Sequence, residues 1–64
     1  KGGRMRTKLR DMREQQQKTQ AEIAYAACIS LKSYQRIEKD VQDPKVSTAK
    51  LIAKALNSTV EELF

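Results

Sequence analysis

The sequence predicts an all-α fold, a compact domain of five short helices, and three observations favour it. Good helix formers (Ala, Leu, Lys, Glu and Gln) dominate the 64 residues. No segment alternates apolar and polar residues with the period of two that marks a half-buried strand. Residues 19–22 and 59–62 each place a threonine three positions before a glutamate, the spacing of a capping box that begins a helix.

Composition excludes most enzyme and membrane classes. The chain has no histidine and a single cysteine, Cys28, so a disulfide framework, a zinc site and histidine-based catalysis are not expected. No apolar run approaches the roughly 20 residues that cross a bilayer. We therefore expect a non-enzymatic protein without metal or cofactor, and the lone cysteine favours a reducing compartment such as the cytoplasm.

The charge distribution favours an acidic partner such as nucleic acid. The formal net charge is +5, and the first 18 residues hold seven basic and two acidic side chains. Residues 1–6 are predicted to be a basic arm, either disordered or added during cloning, and residues 7–64 to be the folded domain. Because the chain opens at Lys1, we expect a fragment or a trimmed form of a longer protein.

Apolar spacing and turn residues place the helices. The first is predicted at residues 7–16 and the second at residues 20–27. Ser30 should cap the third, which runs to about residue 39, and Pro44 separates it from a fourth that ends near Leu56. Asn57 suits the left-handed residue after that helix. The predicted inward positions are Met5, Leu9 and Met12; Ile23, Ala24 and Ala27; Val46, Ala49, Ile52, Ala53 and Leu56; and Val60, Leu63 and Phe64.

The third helix has two chemically different sides at 100° per residue. One side is predicted to face the core and holds Ser30, Tyr34, Ile37, Glu38 and Val41. The opposite side holds Lys32, Arg36 and Lys39, flanked by Ser33 and Gln35, and carries no acid. Arginine, lysine and glutamine can bind base edges, and an apolar residue such as Leu31 can cover a thymine methyl group. A basic face that is merely solvated is the competing interpretation.

A capped helix, a short turn and a second capped helix with basic residues near its start form the helix-turn-helix plan, here at about residues 20–39. The sequence around this plan resembles the Cro/phage-repressor (Xre-type) helix-turn-helix family from residue 9 to residue 64. The motifs that carry the resemblance are TQAEIA (19–24), IS (29–30), YQRIE (34–38), Pro44, IAKAL (52–56) and VEELF (60–64).

The resemblance implies a sequence-specific regulator of transcription, a repressor of bacterial or phage origin, which reads the major groove of double-stranded DNA with the helix after Ser30. It implies a homodimer on a palindromic operator. The implied base-contacting residues are Leu31, Lys32, Ser33, Gln35 and Arg36. The implied phosphate-contacting residues are Thr19, Gln20, Lys39, Gln42 and Lys45. The implied structural ion pair is Arg13 with Glu38, and the candidate dimer surface is Val60, Leu63 and Phe64.

Some positions depart from the family pattern. Many relatives have glycine where this chain has Cys28 and Asp40, and Cys28 is predicted to be a small buried filler. Leu31 stands where several phage repressors have glutamine. Together with Asp40 and Asp43, Leu31 supports an alternative function. This alternative is a protein-binding module of the same fold that serves as an antitoxin, an adaptor or an antirepressor target.

A membrane-surface helix in residues 1–18 is a weaker alternative, because the core needs its apolar side chains.

Overall fold

The computed structural model of the chain describes residues 7–64, which form five helices and no strand. The predicted all-α architecture is confirmed, and the first four helices each end one residue earlier than the sequence predicts. Residues 1–6, with the predicted basic arm and Met5, lie outside the described residues. The helices are α1 (Thr7–Gln15), α2 (Gln20–Ala26), α3 (Leu31–Glu38), α4 (Val46–Ala55) and α5 (Val60–Leu63).

The core lies where α2, α3 and α4 meet, and α1 and α5 close it. Tyr34 of α3 is fully buried at its centre. The other buried members of this cluster come from all five helices and their ends, as the apolar spacing predicts: Leu9, Ile23, Ala24, Ala27, Ile37, Ile52, Ala53, Leu56 and Leu63. None of the helices within residues 7–64 is long and apolar enough to cross a membrane.

Three hydrophobic residues that the sequence places inside are exposed. Val41 is 67% exposed because α3 has already ended and the chain has turned at Asp40. Val46 is 72% exposed because it is the first residue of α4, one turn before the first buried position of that helix. Cys28 is exposed because the chain turns there, so that Ala27 packs into the core and the thiol does not.

Each of the first four helices ends in a Schellman motif, in which a left-handed residue follows the helix and two amides bind back to its last turn. After α3, for example, Asp40 N donates to Ile37 O at 3.1 Å and Val41 N donates to Arg36 O at 2.9 Å. The left-handed position usually takes glycine, but none of these four residues is glycine. They are Gln17, Cys28, Asp40 and Asn57, with φ between 55° and 61°.

The loop between α1 and α2 holds the end of α4. Gln16 Nε2 donates to Leu56 O at 2.6 Å, and Lys18 Nζ donates to Ala55 O at 2.9 Å. The last carbonyls of a helix have no partner within it and carry the negative end of its dipole, so an amide and an ammonium group suit them. These two contacts connect the loop that leads into α2 to the end of α4.

Candidate nucleic-acid interface

Side-chain caps fix the starts of α2 and α3. Thr19 Oγ1 accepts from Glu22 N at 3.1 Å, and Thr19 N donates to Glu22 Oε1 at 2.6 Å, which completes the predicted capping box. At α3, Ser30 Oγ accepts from Ser33 N at 3.1 Å. Ser30 is exposed, and not on the inward side as predicted, because it caps the helix from outside. These caps satisfy amides that would otherwise lack partners, and they fix the residues at which α2 and α3 begin.

The outer side of α3 presents hydrogen-bond donors and one apolar residue. Lys32 and Arg36 are exposed, and Leu31 is 43% exposed. Ser33 and Gln35 flank them and are half-buried. The only acid between Leu31 and Lys39 is Glu38, which is 1% exposed, so no carboxylate interrupts the outer side. We call Leu31, Lys32, Ser33, Gln35 and Arg36 the α3 outer face.

Glu38 is buried because four donated hydrogen bonds satisfy its carboxylate. Oε2 accepts from Arg13 Nε at 2.8 Å and from the Tyr34 hydroxyl at 2.9 Å. Oε1 accepts from Gln20 Nε2 at 2.8 Å and from Arg13 Nη2 at 3.3 Å. The Arg13 side chain is itself only 11% exposed and also donates from Nη1 to Lys18 O at 2.9 Å. The carboxylate thus joins α1, α2 and α3.

The pKa values of this cluster follow from burial and from the same contacts. Burial raises the pKa of the Glu38 carboxyl, but the hydrogen bonds from Arg13, Gln20 and Tyr34 outweigh burial and hold this pKa below its ordinary value. The hydrogen bond to Glu38 raises the pKa of Arg13. Burial, reinforced by the contact with Glu38, raises the pKa of the Tyr34 hydroxyl. At neutral pH the cluster therefore holds an ionised pair and a protonated phenol.

The structure brings Gln20 and Gln35 together between α2 and α3. Gln35 Nε2 donates to Gln20 Oε1 at 3.2 Å, while Gln20 Nε2 donates to Glu38. A glutamine at position 31 could form a hydrogen bond to Gln20, but Leu31 cannot. Gln35, one turn further along α3, forms this hydrogen bond instead. The sequence treated both glutamines as separate DNA contacts and missed this hydrogen bond, because it depends on how α2 and α3 cross.

The residues predicted to contact phosphate lie before and after α3 along the chain. Thr19 is exposed and Gln20 is half-buried at the start of α2. Lys39, Gln42 and Lys45 are exposed after α3. A groove of about 490 Å³ lies between α3 and the start of α4, and Ser33, Gln42 and Lys45 are among the residues that line it.

The C-terminal helix supplies less free surface than the sequence suggests. Leu63 is 4% exposed and belongs to the core. Val60 and Phe64 pack against the core but stay half-buried, so only these two of the three candidate dimer residues keep surface for a partner. Two large exposed hydrophobic side chains were not singled out from the sequence: Tyr25 on α2, which is 88% exposed, and Leu51 on α4, which is 38% exposed.

Comparisons with known proteins agree with this architecture. A family model described as helix-turn-helix matches residues 9–63. Among solved structures, the restriction-modification controller protein C.AhdI from Aeromonas hydrophila superposes with a TM-score of 0.84 at 20% identity, over 92% of this chain and 89% of that one. No match was found among curated protein sequences.

Two longer proteins contain a similar domain. The clp gene regulator ClgR from Corynebacterium glutamicum gives a TM-score of 0.83 at 21% identity, over 91% of this chain and 62% of that one. ComR from Streptococcus suis gives 0.80 at 23% identity, over 100% of this chain but only 21% of that one. At these identities the superpositions establish the shared fold.

Proposed function

Because the chain belongs to the Cro/Xre-type helix-turn-helix family, whose model matches residues 9–63, we propose that it is a DNA-binding regulator of transcription. In this proposal α3 enters the major groove of double-stranded DNA and reads a specific sequence, while α2 lies across the backbone. Leu31, Lys32 and Arg36 contact bases, and Ser33 and Gln35 contribute further contacts.

The observation that carries the proposal is the chemistry of the α3 outer face. Its cationic residues, Lys32 and Arg36, can donate to guanine O6 and N7, and Leu31 can cover a thymine methyl group. The one carboxylate of the helix, Glu38, would repel DNA if it were exposed, but it is buried and paired with Arg13.

Phosphate contacts from residues before and after α3 in the chain would set the position of α3 in the groove. Lys39 and Lys45 supply positive charge, and Thr19, Gln20 and Gln42 supply neutral donors. Each phosphate that a lysine neutralises releases counterions, so affinity should fall as salt rises. Asp40 and Asp43 lie in the same region and should lower the affinity for DNA of unrelated sequence.

We further propose that the protein acts in the bacterial cytoplasm as a repressor, encoded by a bacterium or a phage, and binds a palindromic operator as a homodimer. Two-fold symmetry would place the two α3 helices about one helical turn apart along the DNA. Val60 and Phe64 are the candidate residues for the partner contact, because they keep exposed surface beside the core.

Selection of bound sites from a random pool of duplex DNA at physiological salt tests the proposal. We expect a discrete consensus whose two halves are inverted repeats about 10 base pairs apart from centre to centre. Binding that depends only on salt, with no enriched sequence, would contradict the proposal and favour the protein-binding alternative. A single half-site would contradict the homodimer alone.

A further inference from the structure

A chain of hydrogen bonds leads from the buried carboxylate to the α3 outer face. Glu38 accepts from Gln20 at 2.8 Å, and Gln20 accepts from Gln35 at 3.2 Å. Gln35 is half-buried at the middle of α3, directly before the exposed Arg36. Its Oε1 atom has no hydrogen-bond partner within residues 7–64.

The charge of Glu38 fixes the direction of every bond in this chain. An ionised carboxylate can only accept, and the contacts from Arg13 and Tyr34 keep it ionised. Gln20 must therefore turn its NH₂ group towards Glu38 and its oxygen towards Gln35. Gln35 in turn must use an N–H group on Gln20, so its own oxygen cannot face α2.

We propose that Gln20 is a positioning residue for base recognition and that it fixes Gln35 as a hydrogen-bond acceptor on the α3 outer face. This inference rests on the proposed function and adds a specificity to it. A fixed acceptor selects a base that offers an exocyclic amine in the major groove, which is the N6 amine of adenine or the N4 amine of cytosine. Gln20 occupies one N–H of Gln35, and the remaining N–H can also donate to adenine N7, whereas free rotation of the amide would let both N–H groups face bases that only accept.

The test measures base preference at one operator position in Gln35→Met and Gln20→Met, since methionine resembles glutamine in size but lacks the amide. For the wild type, we expect adenine or cytosine at the position that Gln35 controls, preferred by about tenfold over the other bases. Gln35→Met should remove most of that preference. Gln20→Met should reduce it about fivefold at the same position, although Gln20 does not reach that base.

The double variant Gln20→Met/Gln35→Met should have no weaker preference than Gln35→Met, because both changes break one chain of bonds. Gln15→Met, the same substitution at an exposed residue of α1, should leave the preference unchanged. Preference is a ratio of affinities for two DNAs, so it does not depend on the fraction of a variant that is folded.

The outcomes separate this inference from the proposed function. If the wild type selects no sequence, the proposed function fails and the inference fails with it. If the wild type selects a site but Gln20→Met weakens binding to all four bases equally, Gln20 is a phosphate contact only and the inference alone is wrong. A preference for guanine or thymine that disappears in Gln35→Met would also overturn the fixed acceptor.

Discussion

Glu38 joins three helices through one carboxylate. Its substitution therefore tests how much these contacts contribute to the free energy of unfolding. A glutamine at this position would keep the shape of the side chain but remove the charge that Arg13, Gln20 and Tyr34 share. Removing one partner of a buried pair leaves the other charge poorly compensated. We expect Glu38→Gln to lower the free energy of unfolding by about 2–3 kcal/mol at neutral pH, measured by urea denaturation.

A matched control is Glu61→Gln on α5, where the carboxylate is exposed. This substitution should change the free energy of unfolding by less than about 0.5 kcal/mol. An equal loss in both variants would show that overall charge, and not the buried pair, causes the effect.

The lowered pKa of Glu38 predicts the pH range in which its contribution is lost. Its native pKa lies below the ordinary value of 4.5. Between the two values the unfolded chain binds more protons than the native protein, so stability rises with pH there. The contribution should be complete above pH 4.5 and should disappear as the pH falls through the native pKa. Urea denaturation over this range should show the stability difference between wild type and Glu38→Gln shrinking; a constant difference would contradict this.

At the scale of the element, the four non-glycine residues that follow α1 to α4 lower the free energy of unfolding, because each adopts a left-handed backbone conformation. Substitution by glycine should recover part of this loss. The left-handed region costs a residue with a Cβ atom about 1 kcal/mol or more, whereas the cost of glycine is mainly unfolded-state entropy. We expect Cys28→Gly and Gln17→Gly each to raise the free energy of unfolding by about 0.5–1 kcal/mol. Asn57→Gly should gain less, because asparagine tolerates this conformation.

Cys28→Ala is the control for these helix ends, since it removes the thiol but keeps the Cβ atom. Its free energy of unfolding, measured by the same denaturation, should not rise. If Cys28→Ala stabilises as much as Cys28→Gly, the cost lies in the thiol and not in the backbone.

The two classes of cation near α3 should respond differently to substitution. Arg36→Ala should cost about 1–3 kcal/mol of binding on the selected operator and relax base preference at one position. Lys45→Ala should weaken operator and unrelated DNA alike and lower the slope of log affinity against log salt by about one. Binding titrations on both DNAs at several salt concentrations provide the measurement. Identical behaviour of the two variants would contradict the assignment of Arg36 to a base.

The elements could be predicted because their signals are local. The capping residues Thr19 and Ser30 mark helix starts within a residue, and the spacing of apolar residues identifies the core. Val41 was placed wrongly because a helical period does not continue through a turn. Cys28 was placed wrongly because the usual burial of a free cysteine does not hold where the chain turns out of the core. The hydrogen bond between Gln20 and Gln35 depends on how two helices cross, and no pattern along one chain encodes it.

At the scale of the whole molecule, the small core gives the domain a low free energy of unfolding, so a single core substitution can remove most of it. Domains below about 70–80 residues rarely gain more than about 3–5 kcal/mol from their core. Ile52 of α4 is fully buried, and its truncation leaves a cavity within the core cluster to which Tyr34 also belongs. Ile52→Ala should therefore cost about 2–5 kcal/mol, which is close to the entire stability of the domain.

We expect Ile52→Ala to be largely unfolded at about 37 °C by circular dichroism and to regain helix when the operator is added. Leu51→Ala on the same helix is the control, since Leu51 is 38% exposed and its loss should leave the protein folded. A ligand that binds only the native state at about 100 times its dissociation constant adds about 2.7 kcal/mol, enough to refold much of the variant. A scrambled duplex at the same concentration should restore much less helix, because it binds more weakly. Equal recovery with both duplexes would mean that charge alone drives binding, and the α3 outer face would then read no sequence.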